Sequence, residues 1–277
     1  MRKPPIDILH LFPVLNKELI SFLRSLSPQD WQRPTVAKLW AVKDVVAHLL
    51  DGNYRQLSVQ RDKWTVEPDR PITSYQTLVD YLNQFNADWV KAAKRMSPQV
   101  LIDALEITNH QVFEIYKGLD PFAPSVYPVS WAGESMSYNW FDIAREYTER
   151  WLHQQQVRAV VGDRGIMTKE LYYPVLDIFI QAWPFASSDT AAKEGTLLKA
   201  TIPGDEGGEW YLSRTNNKWS LGSHNGSQPV SETIIDGDIA WKLFSKSIRK
   251  EDVPNGFTIK GDAALGEIIL NMVSVMA

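Results

Sequence analysis

The segment REYTERWLHQQQ, residues 145–156, predicts a long helix that carries two candidate metal ligands, Glu149 and His153. Residues four positions apart share one face of a helix, with Cβ atoms about 5–6 Å apart, so both side chains can reach one ion. A third candidate, His48, lies far upstream in the segment AVKDVVAHL, residues 41–49. Two histidines and one carboxylate leave a coordination position open, which is typical of a catalytic zinc site.

The same spacing is compatible with an ordinary solvated helix face. Trp140, Tyr147 and Trp151 form an aromatic stripe on this helix, and Glu149 and His153 project away from it. Either face could be the one that packs inside the protein. The apolar residues on both sides of the third candidate ligand favour its burial, and a buried histidine needs a partner, which could be a metal or a backbone carbonyl.

Composition limits the classes of function. The 277 residues are enough for two domains with separate cores, and 44% apolar with 22% charged residues is typical of a globular protein. A net charge of -4 without a long basic run argues against nucleic acid or an anionic membrane as a partner. Because the chain has no cysteine, it cannot form a disulfide or use a cysteine nucleophile, and any thiol chemistry requires an external thiol.

The sequence shows no membrane segment. Prolines and an aspartate interrupt residues 4–7 before any apolar signal core can form, and no apolar run reaches about 18 residues. We therefore expect a cytoplasmic, unanchored protein, while the sequence leaves its oligomeric state open.

The first 165 residues have a helical pattern. Apolar spacing, capping residues and prolines predict helices over 11–26, 42–57, 74–96, 98–118 and 137–161. A proline-rich stretch, 121–131, reads as a long loop that could form a lid or could simply pack on the surface. We assign residues 1–165 to a helical domain.

The pattern changes after residue 165. One more apolar helix is predicted over 171–183, followed by strands over 197–202, 209–214 and 218–221, with a turn at Asn216-Asn217. The segments IDGDIA, 235–240, and IKGDAA, 259–264, each join a strand to a helix, with glycine in the turn and aspartate as the helix cap. Motifs for phosphate binding are absent from the sequence. Residues 166–277 are therefore predicted to form a small α+β domain.

Three stretches carry a resemblance to a known family. The runs WQRPT, 31–35, and WAVKDVVAHL, 40–49, followed by Glu149-x-x-x-His153, resemble the DinB-like metal-binding bundle of mycothiol-dependent maleylpyruvate isomerases. The tail, with its strand-Gly-Asp-helix units and a predicted closing helix over 268–276, resembles the sterol-carrier-protein-2-like (SCP2-like) domain that follows the bundle in that family. The resemblance implies an α plus α+β fold, with a four-helix bundle before an SCP2-like domain.

The resemblance also implies a chemistry. The family's zinc ligands fall on His48, Glu149 and His153, the residues that spacing had already nominated. The implied cofactors are zinc, or another divalent metal such as nickel, and a low-molecular-weight thiol. In the family's reaction the thiolate adds to a conjugated cis double bond of a small substrate, rotation follows, and elimination returns the trans product and the thiol. Related members transfer the thiol instead.

Four further residues are candidates for the site. An acidic substrate would need a cation, and Arg150 is close to the ligands in sequence, while Arg249 lies where the family's carboxyl-terminal domain tends to carry an arginine. Surface arginines are usually solvated, so both have a simpler explanation. Tyr147 and Trp151 could wall a thiol pocket near the metal, although an aromatic core also explains them.

Three hypotheses of different classes remain. The first is a zinc-dependent enzyme that uses a thiol for isomerisation or transfer. The second is a non-catalytic module in which the carboxyl-terminal domain binds an apolar ligand. The third is a protein whose metal is purely structural, so that its removal would unfold the chain.

Overall fold

The amino-terminal helices begin and end close to the positions that the sequence signals predict. The structure, a computed structural model, describes residues 3–224 and 226–275. Its helices up to residue 160 are α1 (Phe12–Ser25), α2 (Val42–Gln56), α3 (Tyr75–Ala93), α4 (Pro98–Gly118) and α5 (Asn139–Val160). A π-helical turn, Leu57–Arg61, extends α2.

Side-chain caps explain where α3 and α4 start. The hydroxyl oxygen of Ser74 accepts a hydrogen bond from the Thr77 amide at the start of α3, and Ser97 does the same for Val100 at the start of α4. Both caps satisfy an amide that has no partner within the helix. After α5 the chain turns at Gly162, whose φ of 73° is a left-handed value that glycine adopts without strain.

Four of these helices form a closed bundle. Helix α2 packs against α4 and α5, and α1 packs against the same two helices, while α3 lies against α2. The contacts bury a continuous apolar core that includes Leu19, Leu23, Val45, Val46, Leu50, Leu101, Leu105 and Val157. Burying this apolar surface is the main force that holds the helices together.

A polar network crosses the interior of the bundle. Arg150 of α5 is 6% exposed, and its guanidinium donates hydrogen bonds to the side-chain oxygens of Asn53 on α2 and Asn109 on α4. It also lies over the ring of Phe12 on α1, 5.7 Å from the centroid. The side chain of Asn53 in turn donates to Asn109 and Thr108. One arginine thus contacts all three helices that surround it.

The chain divides into two compact units. The first consists of Met1–Val126 and Tyr138–Ile166, and the second of Tyr127–Ser137 and Met167–Ala277. Residues 127–137, which the sequence analysis placed in the first domain, group with the second unit. The predicted lid, 121–131, is therefore shared between the units, and Trp131 within it is buried.

The second unit contains a five-stranded sheet. Its elements are α6 (Tyr173–Phe179), α7 (Trp183–Ala186), β1 (Leu197–Ile202), β2 (Gly208–Thr215), β3 (Lys218–Gly222), β4 (Ser231–Ile235), α8 (Gly237–Phe244), β5 (Phe257–Gly261) and α9 (Ala263–Gly266). The strand order is β3-β2-β1-β4-β5, and β1 pairs with β4 in parallel while the other pairs are antiparallel. The predicted α plus α+β fold class is confirmed.

The strand-to-helix motifs have the predicted function of capping, with one difference. Asp262 accepts from the Leu265 amide and follows Gly261, whose φ is 82°, as the sequence predicted. In the other motif the cap is Asp236, which accepts from the amide of Asp238 and precedes the glycine. Gly237 already belongs to α8, so the glycines of the two motifs are not equivalent.

Two predicted helices are shorter than expected. The helix predicted over 171–183 is divided into α6, a 3₁₀ turn at Ile180–Ala182, and α7, which restarts with Pro184 in its first turn, where a missing amide hydrogen is tolerated. The closing helix predicted over 268–276 is only a 3₁₀ turn at Ile269–Asn271 in the described part, because Ser274 instead donates to the backbone of Phe244. Met276 lies outside the described residues.

The helices give no sign of a membrane span. Within residues 3–224 and 226–275, none combines the length and the apolar character that crossing a bilayer requires.

The substitution Arg150→Met tests the polar network. It removes the charge that joins four helices, leaves Oδ1 of Asn53 buried without its donor, and takes one of two donors from Oδ1 of Asn109. Because hydrogen bonds to charged groups contribute about 1.5–3 kcal/mol each, we expect the free energy of unfolding to fall by about 3 kcal/mol. Urea denaturation followed by circular dichroism measures the change.

Arg24→Met is the matched control, because the exposed side chain of Arg24 pairs with Glu106 at the surface. Exposed ion pairs contribute about 0–1 kcal/mol, so this variant should remain near wild type. Equal effects of the two substitutions would contradict a structural role for Arg150.

Candidate metal centre

The fold brings the three predicted ligands together. His48 lies on α2, and Glu149 and His153 lie one turn apart on α5. One potential ligand atom from each residue lies within 4.8 Å of the others. It is the packing of α2 against α5 that joins residues separated by about a hundred positions in sequence.

The two aromatic residues that could line a thiol pocket lie on the opposite face of α5. Tyr147 and Trp151 are both 0% exposed; the ring of Tyr147 meets Phe12 edge to face, and the Trp151 indole donates to the backbone oxygen of Ile166. The structure therefore places both side chains in the core of the bundle. Their predicted role in holding a thiol stays a prediction.

The ligand geometry fits a small divalent ion. His153 Nε2 and Glu149 Oε2 are 3.3 Å apart. Tetrahedral zinc with bonds near 2.0–2.1 Å holds neighbouring N and O ligands about 3.3 Å apart, so this pair already has the required spacing. The atom contributed by His48 lies within 4.8 Å of both, and that separation would have to shorten on binding.

Gln156 orients one of the ligands. Its side-chain oxygen lies 2.9 Å from His153 Nδ1. An amide oxygen can only accept, so Nδ1 carries a proton and Nε2 is the ring nitrogen that faces Glu149. A lone pair facing a carboxylate is unfavourable unless a cation lies between them, and either a proton or a metal ion would meet that need. Outer hydrogen bonds of this kind are typical of metal-binding histidines.

His48 has a polar atom that the protein does not satisfy. Nδ1 of His48 is buried and makes no hydrogen bond to any described residue. Its ring lies between Trp40, 4.8 Å away between centroids, and His153, 4.7 Å away. Buried polar atoms are rarely left without a partner. The surroundings of His48 therefore favour a ring that binds a metal ion over a ring that binds a further proton.

The electrostatic surroundings keep the ligands in the forms that metals bind. Burial, and then the positive charges of His153 and Arg55, hold the pKa of His48 well below its ordinary value. Burial raises the pKa of Glu149, but contact with His153 and the charges of Arg145 and Arg55 outweigh it, so the net shift is downward. A neutral imidazole and an ionised carboxylate are the ligand forms of these groups.

The two predicted catalytic arginines have different surroundings. Arg150 points into the bundle, where Asn53 and Asn109 hold its guanidinium. Arg249 is exposed in the second unit and its backbone amide donates to the Asp252 carboxylate. The catalytic role of both stays a prediction.

The sequence analysis missed residues that surround the ligands. Gln156 lies three positions after His153, and Asp51 and Arg55 lie three and seven positions after His48, spacings that place each on the same helix face as a ligand. That signal could have been found once the ligands were chosen. The position of Trp40 depends on a loop and had no such signal.

Fold and site together define a helical-bundle protein with a candidate centre of two histidines and a glutamate. Residues 14–158, more than half of the chain, match the family described as Mycothiol maleylpyruvate isomerase N-terminal domain. The chain belongs to this family, and the resemblance noted in the sequence is confirmed.

Solved structures share the fold across nearly the whole chain. The mycothiol-dependent maleylpyruvate isomerase has a TM-score of 0.56 at 11% identity, and a histidine-to-alanine mutant of that enzyme has a TM-score of 0.57 at 10% identity. Each comparison covers 94% of this chain and 95% of the other chain. No curated protein matches the sequence significantly.

Metal content tests the centre directly. We expect about one divalent ion per chain in the wild type, and loss of the ion in His48→Ala and His153→Ala, because either change removes one of only three ligands. Mass spectrometry of untagged protein measures the metal, with circular dichroism to verify the fold. His110→Ala is the control, since its side chain is 75% exposed and lies on α4. A wild type that stays metal-free after reconstitution would refute the centre.

Gln156→Leu tests the orientation of His153. Loss of an outer hydrogen bond weakens metal binding by about 10- to 100-fold in comparable sites, and we expect an increase of that size in the metal Kd. Competition with a chromophoric chelator measures it. Gln156→Glu keeps an acceptor oxygen and should restore most of the affinity; equal weakening in both variants would show that packing, and not the hydrogen bond, matters.

Proposed function

We propose that this protein is a metal-dependent enzyme that activates a low-molecular-weight thiol for isomerisation of, or transfer to, a small electrophile. The observation that carries the proposal is the meeting of His48, Glu149 and His153 within 4.8 Å on two packed helices. Zinc is the proposed metal, with nickel or another divalent ion as a substitute. Membership of the family supports mycothiol as the thiol and a cytoplasmic location.

The three ligands would hold the ion and leave a position for an exogenous ligand. An ion held there supplies a lowered thiol pKa, so that a coordinated thiol is a thiolate at neutral pH. Two other residues of the chain orient and cover the ligands. Gln156 keeps the proton of His153 on Nδ1, and Trp40 covers one side of the His48 ring.

The side chains of the site are arranged so that a small molecule can approach. Glu149 is 27% exposed and His153 is 12% exposed, whereas Nδ1 of His48 is buried. The two side chains on α5 are therefore partly accessible to solvent, whereas this nitrogen on α2 is not. An open centre suits ligand exchange, as a catalytic ion requires and a structural ion does not.

The proposed reaction follows from thiol chemistry. The thiolate adds to a conjugated cis double bond, which leaves a single bond about which the adduct can rotate. Elimination then expels the thiolate and forms the trans double bond, so the thiol is regenerated. In a transferase the adduct would be the product. The solved isomerase of this fold is named for maleylpyruvate, and a related electrophile is the substrate class that we propose.

A second candidate function rests on a cavity in the second unit. The cavity has a volume of about 520 Å³, and its lining includes the apolar Val230, Leu265 and Ile268 beside the charged Lys193 and Asp262. Ligand sites typically have volumes of about 300–1,000 Å³, so this one could hold an apolar molecule. In that case the bundle would be a scaffold with a structural metal.

Coupled binding of metal and thiol tests the enzyme proposal. We expect mycothiol, or cysteine as a simple probe, to bind the metal-loaded protein and not the metal-free protein, because the open position is the thiol's binding site. Isothermal titration calorimetry measures the affinity, and His48→Ala should abolish both binding events.

Other outcomes favour the alternatives. Unfolding on chelation, with no thiol binding before it, would identify a structural metal. An apolar fluorescent probe that remains bound to folded, metal-free protein while no thiol binds would favour the ligand-binding module.

A further inference from the structure

A small carboxylate that reaches the metal centre would need a cation, and most nearby arginines are already occupied. Arg145 contacts the carboxylates of Asp142 and Glu146, which neutralise it. Arg150 is turned into the bundle and held by two asparagines. Of the two described arginines whose charges act on Glu149, Arg145 and Arg55, the second is the one left for a ligand, and neither spacing nor resemblance had nominated it.

Arg55 reaches toward the centre along α2. It lies seven residues after His48, almost two full turns, and so on the same face of the helix. Its Nε is 3.1 Å from Oδ2 of Asp51, one turn earlier. The side chain therefore runs back toward the amino end of the helix, in the direction of His48. The effect of its charge on both His48 and Glu149 agrees with this placement.

The guanidinium of Arg55 has hydrogen-bonding capacity to spare. Its contact with Asp51 is an ion pair without hydrogen-bond geometry, and its buried Nε makes no hydrogen bond in the described part of the chain. No described residue accepts a hydrogen bond from its terminal nitrogens either. The side chain is 37% exposed, whereas that of Asp51 is 8% exposed. A ligand at the centre can thus reach the guanidinium from solvent.

Asp51 gives this arginine a fixed position. A buried carboxylate needs a cationic partner, and here the partner is held against it at one edge of the guanidinium. The planar group has five N–H donors, so the pairing leaves its other edge free to bind a second carboxylate by two parallel hydrogen bonds. A lysine could not offer that geometry.

We propose that Arg55 binds the carboxylate of the substrate beside the metal centre, so that the site selects small conjugated carboxylic acids over neutral electrophiles. The inference rests on the proposed function and adds the residue that determines specificity. Asp51 is a positioning residue, since it acts through Arg55.

Binding of maleate to zinc-loaded protein tests the proposal without relying on turnover. We expect Arg55→Gln to raise the Kd of maleate by about 10- to 100-fold, the loss that corresponds to a charge-assisted hydrogen bond of about 1.5–3 kcal/mol. Dimethyl maleate, the neutral ester, should bind wild type and variant alike. Isothermal titration calorimetry supplies both constants, and zinc and thiol affinities are measured in parallel.

The matched control is Arg61→Gln. Arg61 lies in the turn that extends α2, is exposed, and already pairs with Asp62. Its replacement removes the same charge and should leave the maleate Kd unchanged. An equal effect of the two substitutions would mean that only net charge matters, and would overturn the specific role of Arg55.

The remaining outcomes also support or overturn the inference about Arg55. An unchanged maleate Kd in Arg55→Gln, or a zinc-loaded wild type that binds no maleate, overturns the inference while the proposed function stands. If Arg55→Gln fails to retain zinc, Arg55→Lys replaces it: several-fold weaker maleate binding supports the inference, and wild-type binding overturns it. A wild type that binds no zinc defeats the proposed function itself.

Discussion

The structure depends on burying a polar helix. Helix α5 carries amide and charged side chains along most of its length, yet Gln154, Gln155 and Arg158 are all nearly inaccessible to solvent. Burying such groups is unfavourable unless each finds a partner. The surrounding helices must therefore offer both an apolar surface and correctly placed polar groups. This requirement restricts how α1, α2 and α4 can pack around α5 far more than apolar contact alone would.

Several buried polar groups of α5 are paired within the protein, although Oε1 of Gln155 and Nε of Arg150 make no hydrogen bond to a described residue. Arg158 is paired with Glu18 and Asp163, and Arg150 with two asparagines. On the face toward α2, a histidine and a glutamate meet a second histidine whose buried Nδ1 has no hydrogen-bond partner among residues 3–224 and 226–275. A metal ion bound at this face is one partner that would satisfy this histidine. Ionisable residues gathered at one buried position are typical of a functional site, since stability alone would favour apolar residues there.

Local sequence signals predicted most helix boundaries, and they failed where contacts with distant residues determine the backbone conformation. Serine caps and proline positions depend on a few neighbouring residues, so the boundaries of α3 and α4 followed from the sequence. The predicted closing helix instead became a 3₁₀ turn, because Ser274 finds a backbone partner on α8. The two Gly-Asp motifs looked alike in sequence, but only the backbone conformation showed which aspartate caps each helix.

The sequence by itself predicted the fold class and nominated three candidate ligands, because periodicity, capping and spacing within a helix are local properties, and its motifs carried the resemblance to the family. It could not decide which face of α5 is the inner one: both faces carry plausible interior residues. Only the packing of α2 against α5 placed His48 beside Glu149 and His153. The same packing turned Arg150 into the core and left Arg55 at the centre, since the direction of a side chain depends on neighbours that are distant in sequence.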